Sequence, residues 1–476
     1  MKVLYCSSEV QPFSKTGGLA DVSGSLPKAL NDLKIEIKVI TPYYSVAKFG
    51  KIKPKLFKSL DLQIIDRIKT AHYYKLEKDG IEYIFIKCDD YFKRDGLYGY
   101  YDEAERFSFF CYAVLEIIPL LAFQPNIIHV NDWQTSLIPY LLDEVYRKKN
   151  KIYQRIKTLL SIHNLEYQGA FPIEANLLLP HQDDTTYIHF GKINYLKTGI
   201  MRASAINTVS NTYKEEIMTQ RFGFTLDGAL RSRISALYGI TNGIDYNEYN
   251  PSADKIIFKT FDDKSFLEGK LFNKKELLRE LAITGWDDKP LISFIGRLAH
   301  QKGIDLIEGI INNVIKDSDA NIILVGSGDR DYEAYFDSLA AKHPTRIKVW
   351  IGFNNELARK VYAGSDLFLM PSEFEPCGLG QLIAMRYGTL PVVRETGGLA
   401  DTVIPYNEFT AEGTGFSFTN YDNNEFKDSV FRALDLYNKN KDGFNELIVN
   451  AMTCDNSMPN MAQKYIDLYN QIKKGY

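Results

Sequence analysis

The chain of 476 residues is 45% hydrophobic and 25% charged, the balance of a folded globular protein, which excludes a disordered, collagen-like or disulfide-scaffold polypeptide. Its 57 Lys and Arg residues against 60 Asp and Glu leave a formal charge of −3, so it carries no electrostatic footprint for nucleic acid or an anionic membrane. The length suits two large domains or three of ordinary size.

The cysteines Cys6, Cys88, Cys111, Cys377 and Cys454 are scattered without a CxxC pair, which points away from a disulfide framework or a zinc knuckle. The apolar opening turns polar at Ser7, too short for a signal-peptide core, and no apolar run approaches the ~18 residues of a membrane span. The expectation is a soluble cytoplasmic protein with no nucleic-acid or membrane partner.

The first predicted strand, Val3 to Ser7, runs into a loop reading Lys15-Thr16-Gly17-Gly18-Leu19-Ala20-Asp21-Val22. Leu26, Ala29, Leu30 and Leu33 then continue at helical spacing. A second strand, Glu36 to Ile40, ends at Thr41-Pro42. This is βαβ grammar, which predicts a parallel sheet covered on both faces. The pattern recurs at Asn126 to Val130 before Asn131-Asp132-Trp133, at Lys157 to Ile162 before His163-Asn164, and at Ala205 to Val209 before Ser210. In an open parallel sheet, ligands sit beyond the carboxyl ends of the strands, so these polar strand ends are candidates for one shared site.

Asn242 to Lys255, with its Asn-Gly and Asn-Pro steps, reads as a hinge. A new α/β run follows. Leu291 to Ile295 leads to Gly296-Arg297, and Ile322 to Val325 to Gly326-Ser327-Gly328. Lys348 to Ile351 leads to Gly352-Phe353, Leu367 to Met370 to Pro371-Ser372, and Leu390 to Val393 to Arg394-Glu395. The predicted fold class is α/β, with two Rossmann-like lobes facing a central cleft: 1–245, 246–456, and a terminal helix in 457–476. That helix carries Met461, Tyr465, Leu468, Tyr469 and Ile472 on one face, which must dock on something.

Thr16 to Asp21 and Thr396 to Asp401 are the same hexapeptide, Thr-Gly-Gly-Leu-Ala-Asp, each between a strand and a helix. Paired glycines let backbone N–H groups approach an oxygen-rich ligand, and a helix N-terminus adds partial positive charge. Copies in both lobes favour one ligand clamped from two sides, and Lys15 beside the first copy suits diphosphate oxygens. A tight strand-to-helix turn packed for its own sake is the alternative. The spacing of a Walker A loop is absent, and Gly326-Ser327-Gly328 lacks the third glycine of a dinucleotide fingerprint.

Six stretches together, Lys15-Thr-Gly-Gly-Leu-Ala-Asp-Val, His129-Val-Asn-Asp-Trp-Gln-Thr, Ile162-His-Asn-Leu, Gly239-Ile-Thr-Asn-Gly-Ile-Asp, Ile295-Gly-Arg-Leu with Gln301-Lys-Gly, and Glu375-Pro-Cys-Gly-Leu, resemble bacterial glycogen synthases and plant starch synthases. The resemblance spans residues 1 to about 405. It implies a GT-B fold whose last helix crosses back to the N-terminal lobe. It also implies a retaining transfer of glucose from ADP-glucose to the 4-hydroxyl of an α-1,4-glucan, glycogen or a maltooligosaccharide. UDP-glucose or another acceptor is the alternative within the fold.

Carried onto this chain, the resemblance makes Arg297 and Lys302 the cations that neutralise the leaving diphosphate, Glu375 the carboxylate near the anomeric carbon, and His163 a contact to the glucose. Lys15, Gly17, Gly18, Tyr98, Asp132, Asn164, Asn242, Phe353, Cys377, Gly378, Leu379, Gly380 and Thr396 are expected to bind substrate, Phe353 as a platform for adenine. Two departures stand out: Gly380 replaces a common threonine, and Glu373 adds a carboxylate. Cofactor and metal are not expected, since Asp317-Ser-Asp319 and Asp329-Arg-Asp331 are short acidic pairs outside the clamp and the histidines lack ligand spacing. A nicotinamide oxidoreductase lacks its fingerprint here, and the intact Lys15, Arg297, Lys302 and Glu375 argue against a glucan-binding protein without catalysis.

Overall fold

In the computed structural model, which describes residues 1–181, 185–283 and 288–475, the apolar runs assemble into two separate sheet-centred units. One comprises Met1–Ile240 with Met458–Tyr476, the other Thr241–Ser457.

The strands of the first unit, in chain order, are β1 (Lys2–Cys6), β2 (Glu36–Pro42), β3 (Lys55–Ile64), β4 (Arg67–Lys78), β5 (Ile81–Lys87), β6 (Ile127–Asn131), β7 (Lys157–Ile162), β8 (Ala170–Phe171), β9 (Ile188–His189), β10 (Lys192–Asn194), β11 (Ala205–Thr208) and β12 (Leu237–Gly239). Nine of them form one sheet in the order β12-β11-β7-β6-β1-β2-β5-β4-β3. It is parallel from β12 to β5 and antiparallel beyond. Residues 55–87, for which the sequence sets no expectation, form that antiparallel meander; its outer strand is mostly exposed, so it shows no continuous apolar run. Chain order reverses between β1 and β6, which makes their carboxyl ends the switch point of the sheet.

The terminal helix, Met458–Lys474, packs within this first unit, on the helix Gly18–Asp32 and on β7, with hydrogen bonds to β6 and β11. Its buried face contains all the residues expected from the periodicity, with Met458 and Ala462 added. Polar groups beneath it form a directional chain. Asn207 Nδ2 donates to the Tyr465 hydroxyl (2.9 Å), Ser161 Oγ donates to Asn207 Oδ1 (2.6 Å), and His129 Nε2 lies 2.6 Å from Ser161 Oγ. Since Ser161 spends its proton on Asn207, His129 Nε2 donates to it, and His129 Nδ1 accepts from the Tyr469 hydroxyl at 2.7 Å. Burial pushes the His129 pKa well down, in keeping with this neutral tautomer.

The second unit holds β13 (Leu291–Ile295), β14 (Asn321–Gly326), β15 (Ile347–Ile351), β16 (Leu367–Met370), β17 (Leu390–Arg394) and β18 (Phe416–Phe418), all parallel, in the order β15-β14-β13-β16-β17-β18. This is the doubly wound order of a Rossmann sheet, with its switch point between β13 and β16. The helix Ile304–Asp317 covers one face with Ile304, Ile307, Ile310, Ile311 and Val314.

The expected hinge, Asn242 to Lys255, is instead a built part of the second unit. Ile244 bridges Ser457 and donates its N–H to Asn456 O (2.9 Å). The buried Asp254 carboxylate accepts from the Arg359 guanidinium (3.1 Å) and the Tyr387 hydroxyl (2.5 Å). These partners lie more than a hundred residues away in sequence, which is why turn-forming residues alone read as a linker. Among the described residues no helix is long and apolar enough to cross a membrane.

Removing the Tyr469 hydroxyl tests the docking of the terminal helix. Tyr469→Phe should lower stability by about 1–2 kcal/mol, as expected for a lost buried hydrogen bond, and Tyr469→Ala by about 3–5 kcal/mol, both read from urea unfolding. Wild-type stability in Tyr469→Ala would contradict the packing described.

Candidate active site

The switch point of the second unit carries the cationic motif. β13 ends at Gly296-Arg297, and the loop after it is tied to the end of β14, where Leu298 N–H donates to Ser327 O (3.0 Å). A Cβ on Gly326 would lie 1.8 Å from Gly296 O, so the Gly-Ser-Gly run that is too short for a dinucleotide serves to let the Arg297 loop pack. The exposed Arg297 guanidinium donates to Gln301 Oε1 (2.9 Å). Gln301 in turn donates to Phe374 O (3.2 Å) and accepts the Glu373 N–H (2.9 Å), which joins the loop after β13 to the loop after β16.

Across that junction Lys302 Nζ lies 2.5 Å from Glu375 Oε2, and Ser372 Oγ donates to the same oxygen at 3.2 Å. Glu375 is only 6% exposed. A buried carboxylate is tolerable when paired and hydrogen-bonded, and loss of its partner leaves an uncompensated charge. Arg394 holds the same loop from beneath, donating to Ser372 O (2.8 Å) and to Glu373 O. The added carboxylate of Glu373 has turned to His300, 3.6 Å from its Nε2.

The second Thr-Gly-Gly copy packs behind this loop. Gly398 N–H donates to Glu375 O (3.1 Å), and a Cβ would come within 2.0 Å of Glu375 O at Gly397 and within 2.3 Å of Cys377 O at Gly398. Thr396 is fully buried. This copy is a tight turn packed against the Glu375–Cys377 backbone, which it holds in place. Gln381 donates to Cys377 O (2.9 Å) and Gly378 O (3.1 Å), while the N–H groups of Gly378, Leu379 and Gly380 have no acceptor among the described residues. Burial pushes the Cys377 thiol up to about 12, so it is not a reactive thiolate.

Asn242 belongs to this second unit, not to the first lobe where the sequence places it. The residue is 8% exposed, and its Oδ1 has no hydrogen-bond partner among the described residues. Phe353, just beyond β15, is 86% exposed, a bare aromatic face at a strand end.

The first unit brings a different set together. Asn131 Nδ2 donates to Cys6 O (2.9 Å), so Asn131 Oδ1 faces His163 Nε2 at 2.9 Å. His163 therefore carries its proton on Nε2 and leaves Nδ1 as an acceptor. Burial pushes its pKa down to about 4, so the ring is neutral at neutral pH. Asp132 has φ 54°, an unusual backbone for a non-glycine residue, and its Oδ1 accepts the His163 N–H at 2.7 Å. Burial pushes the Asp132 carboxyl up to about 7, with the Glu9 charge adding to it and the His163 and Asn164 N–H groups opposing.

Asn164 itself accepts the Glu166 N–H (3.0 Å) in a local turn. The Tyr98 hydroxyl turns inward, 2.8 Å from Ser8 Oγ and 3.3 Å from Glu9 Oε1. Lys15 Nζ lies 2.5 Å from Asp21 Oδ1. Gly17 and Gly18 are open, since a Cβ on either would meet no atom within 4 Å, but the Thr16 and Gly17 N–H groups point at the Glu9 carboxylate. Sequence reasoning missed Glu9, Gln301, Gln381 and Arg394. Glu9 follows β1 at the switch point and Gln301 sits inside the Gln-Lys-Gly motif, so position marks these two; Arg394 and Gln381 act through backbone oxygens and leave no pattern. Among the described residues no group of three His, Cys, Asp or Glu side chains is placed to hold a metal ion.

Comparison with known proteins matches residues 2–232 to the starch synthase catalytic domain and residues 279–444 to glycosyl transferases group 1. A glycogen synthase of Acholeplasma laidlawii is 50% identical over 473 residues, covering 99% of each chain. One from Bacillus cereus is 45% identical over 480 residues, 99% of this chain and all of its own. The catalytic domain of starch synthase IV from Arabidopsis thaliana, bound to ADP and acarbose, superposes with a TM-score of 0.92 at 28% identity, covering 99% of both chains. Fold and comparisons define a glycosyltransferase of the GT-B class, built from two α/β units. Within that class, the chain belongs to the family of bacterial glycogen synthases and plant starch synthases.

Two outcomes follow from this geometry. The folded chain holds the Asp132 proton up to about pH 7, whereas an unfolded carboxyl releases it near pH ~4. Wild-type stability relative to Asp132→Asn should therefore fall as pH rises from 5 to about 7.5 and then level off; a difference in urea midpoint that does not change with pH would refute the shift. At Gly380 a Cβ would meet Phe368 Cε1 at 3.0 Å. Gly380→Thr should cost about 1–3 kcal/mol of overpacking, and Phe368→Leu in the same chain should recover most of it in thermal unfolding.

Proposed function

We propose that the chain transfers α-glucosyl units from ADP-glucose to the 4-hydroxyl at the non-reducing end of an α-1,4-glucan, with retention of configuration. The observation that carries this reading is the Arg297, Lys302 and Glu375 cluster at a Rossmann switch point, in a chain of this family. Two fixed cations suit the charge that grows on a departing diphosphate. The unpaired N–H groups of Gly378, Leu379 and Gly380 supply further donors to its oxygens. Glu375, held by Lys302 and Ser372, places a carboxylate for sugar hydroxyls and for positive charge at the anomeric carbon.

The exposed Phe353 offers a stacking face for adenine, and the ADP bound by the Arabidopsis relative favours this nucleotide over uridine. Asn242 Oδ1, unpartnered and buried, accepts a donor hydroxyl. In the first unit, Lys15 serves the diphosphate and neutral His163 accepts a sugar hydroxyl at Nδ1. At neutral pH His163 has no imidazolium proton to give to the leaving group; the departing phosphate takes the proton of the attacking 4-hydroxyl on the same face of the ring. Asp132 and Asn164 hold the peptide that presents His163. The unpaired cysteines suit the reducing cytoplasm as the place of the reaction.

The test is ADP release from ADP-glucose and glycogen, with UDP-glucose in parallel, for the wild type and Lys302→Ala. The wild type should turn over ADP-glucose in preference to UDP-glucose. Lys302→Ala should lose about 10²–10³-fold in kcat, the scale of a lost charge-stabilising group, while its circular dichroism stays native. Preference for UDP-glucose would overturn the donor assignment, and an unimpaired Lys302→Ala the cluster.

A further inference from the structure

The Glu9 carboxylate is 4% exposed, and each hydrogen bond it makes comes from a donor. Oε2 accepts the Thr16 N–H at 2.5 Å and the Gly17 N–H at 3.4 Å, and Oε1 accepts the Thr16 hydroxyl at 3.0 Å and the Tyr98 hydroxyl at 3.3 Å. With Tyr98 donating to Glu9, Ser8 Oγ donates to Tyr98 across 2.8 Å. Successive backbone N–H groups converging on one anion are the arrangement by which backbone nests bind phosphate. Here the anion is supplied from inside the chain.

The consequence for the glycine loop is specific. A diphosphate cannot take the Thr16 and Gly17 N–H groups while Glu9 holds them. What the loop presents instead is the Lys15 ammonium, resting on Asp21 Oδ1 (2.5 Å) and Gln11 Oε1 (3.3 Å), and the first N–H groups of the helix Gly18–Asp32; those of Gly18 and Leu19 have no acceptor among the described residues. The approach there is open, since side-chain positions at Gly17 and Gly18 meet nothing within 4 Å. Through Tyr98 the same carboxylate ties the glycine loop to the loop Gly96–Gly99, and Arg106 props that second loop by donating to Leu97 O (3.0 Å).

We propose that Glu9 is a positioning residue: an internal anion that fills the nest of the Lys15-Thr16-Gly17-Gly18 loop and so fixes the direction in which Lys15 is presented to the nucleotide sugar. It does not touch substrate and acts through Lys15. The proposal rests on the reading of Lys15 as a donor-binding residue given above.

Two measurements on the full chain test it. The first does not depend on catalysis. Trypsin cuts after lysine, and the Lys15–Thr16 bond is protected when Glu9 holds the Thr16 N–H. The wild type should resist cleavage there. Glu9→Ala should be cut at least about tenfold faster, the effect of losing local protection, and formate, a small carboxylate able to refill the nest, should slow the cut. Glu9→Gln keeps the shape and one acceptor, should fall between the two, and stands in if Glu9→Ala does not fold. The second is a double-mutant cycle on ADP release: Glu9→Ala and Lys15→Ala should each lower kcat/KM, and the double variant should be no worse than Lys15→Ala alone.

Cleavage at the wild-type rate in both Glu9 variants, cleavage insensitive to formate, or additive losses in the cycle would each overturn the proposal. A wild type that releases no ADP would instead remove the functional reading and leave the cleavage result to decide the role of Glu9.

Discussion

Where the strand order of a parallel sheet reverses, crossovers leave to opposite sides and the carboxyl ends of two neighbouring strands stay uncovered. Both units are built around that constraint. In the first, the reversal lies between β1 and β6, and the loops that follow carry Glu9, Lys15 and Asp132. In the second it lies between β13 and β16, and the loops carry Arg297, Lys302, Ser372 and Glu375. Within each unit, residues distant in the chain, Glu9 and Tyr98 in one and Lys302 and Glu375 in the other, meet because strand ends are the places a doubly wound sheet leaves for loops.

Charge is handled in these loops by internal pairing before any ligand is considered. Lys302 lies against Glu375, Lys15 against Asp21, and the Thr16 and Gly17 amides against Glu9. A loop with several glycines has many conformations to lose on ordering. The buried carboxylates restrict that freedom by giving each donor a fixed partner. The backbone of Asp132 shows the same trade in a stiffer form: an unusual φ is kept because its carboxylate caps the peptide of His163.

Much of this is legible in the sequence, and the part that is not has a common cause. Strand ends, the glycine loops and the buried face of the terminal helix follow from local pattern, which is enough to place Arg297 and His163 at strand ends, while Glu375 is marked only by its family motif. The two identical Thr-Gly-Gly-Leu-Ala-Asp segments show the limit. One opens to its surroundings with its amides on Glu9, the other is pressed against the Glu375–Cys377 backbone. Nothing within six residues distinguishes them, because what differs is the remote segment each one packs on. Asn242 to Lys255 reads as a hinge for the same reason, since the partners of Asp254 lie beyond residue 350. The meander of residues 55–87 escapes because an edge strand facing water carries its apolar residues singly.

The return of the last helix to the first unit makes the second unit an insertion. Its ends lie side by side, Ile244 bridging Ser457 and bonded to Asn456, as in a module spliced into a host whose own sheet was already complete. The chain therefore leaves the first unit once, at residue 240, and re-enters it once, at residue 458, and the two core clusters share no residue. Only two chain crossings join the units, so a change inside one leaves the strand order of the other untouched.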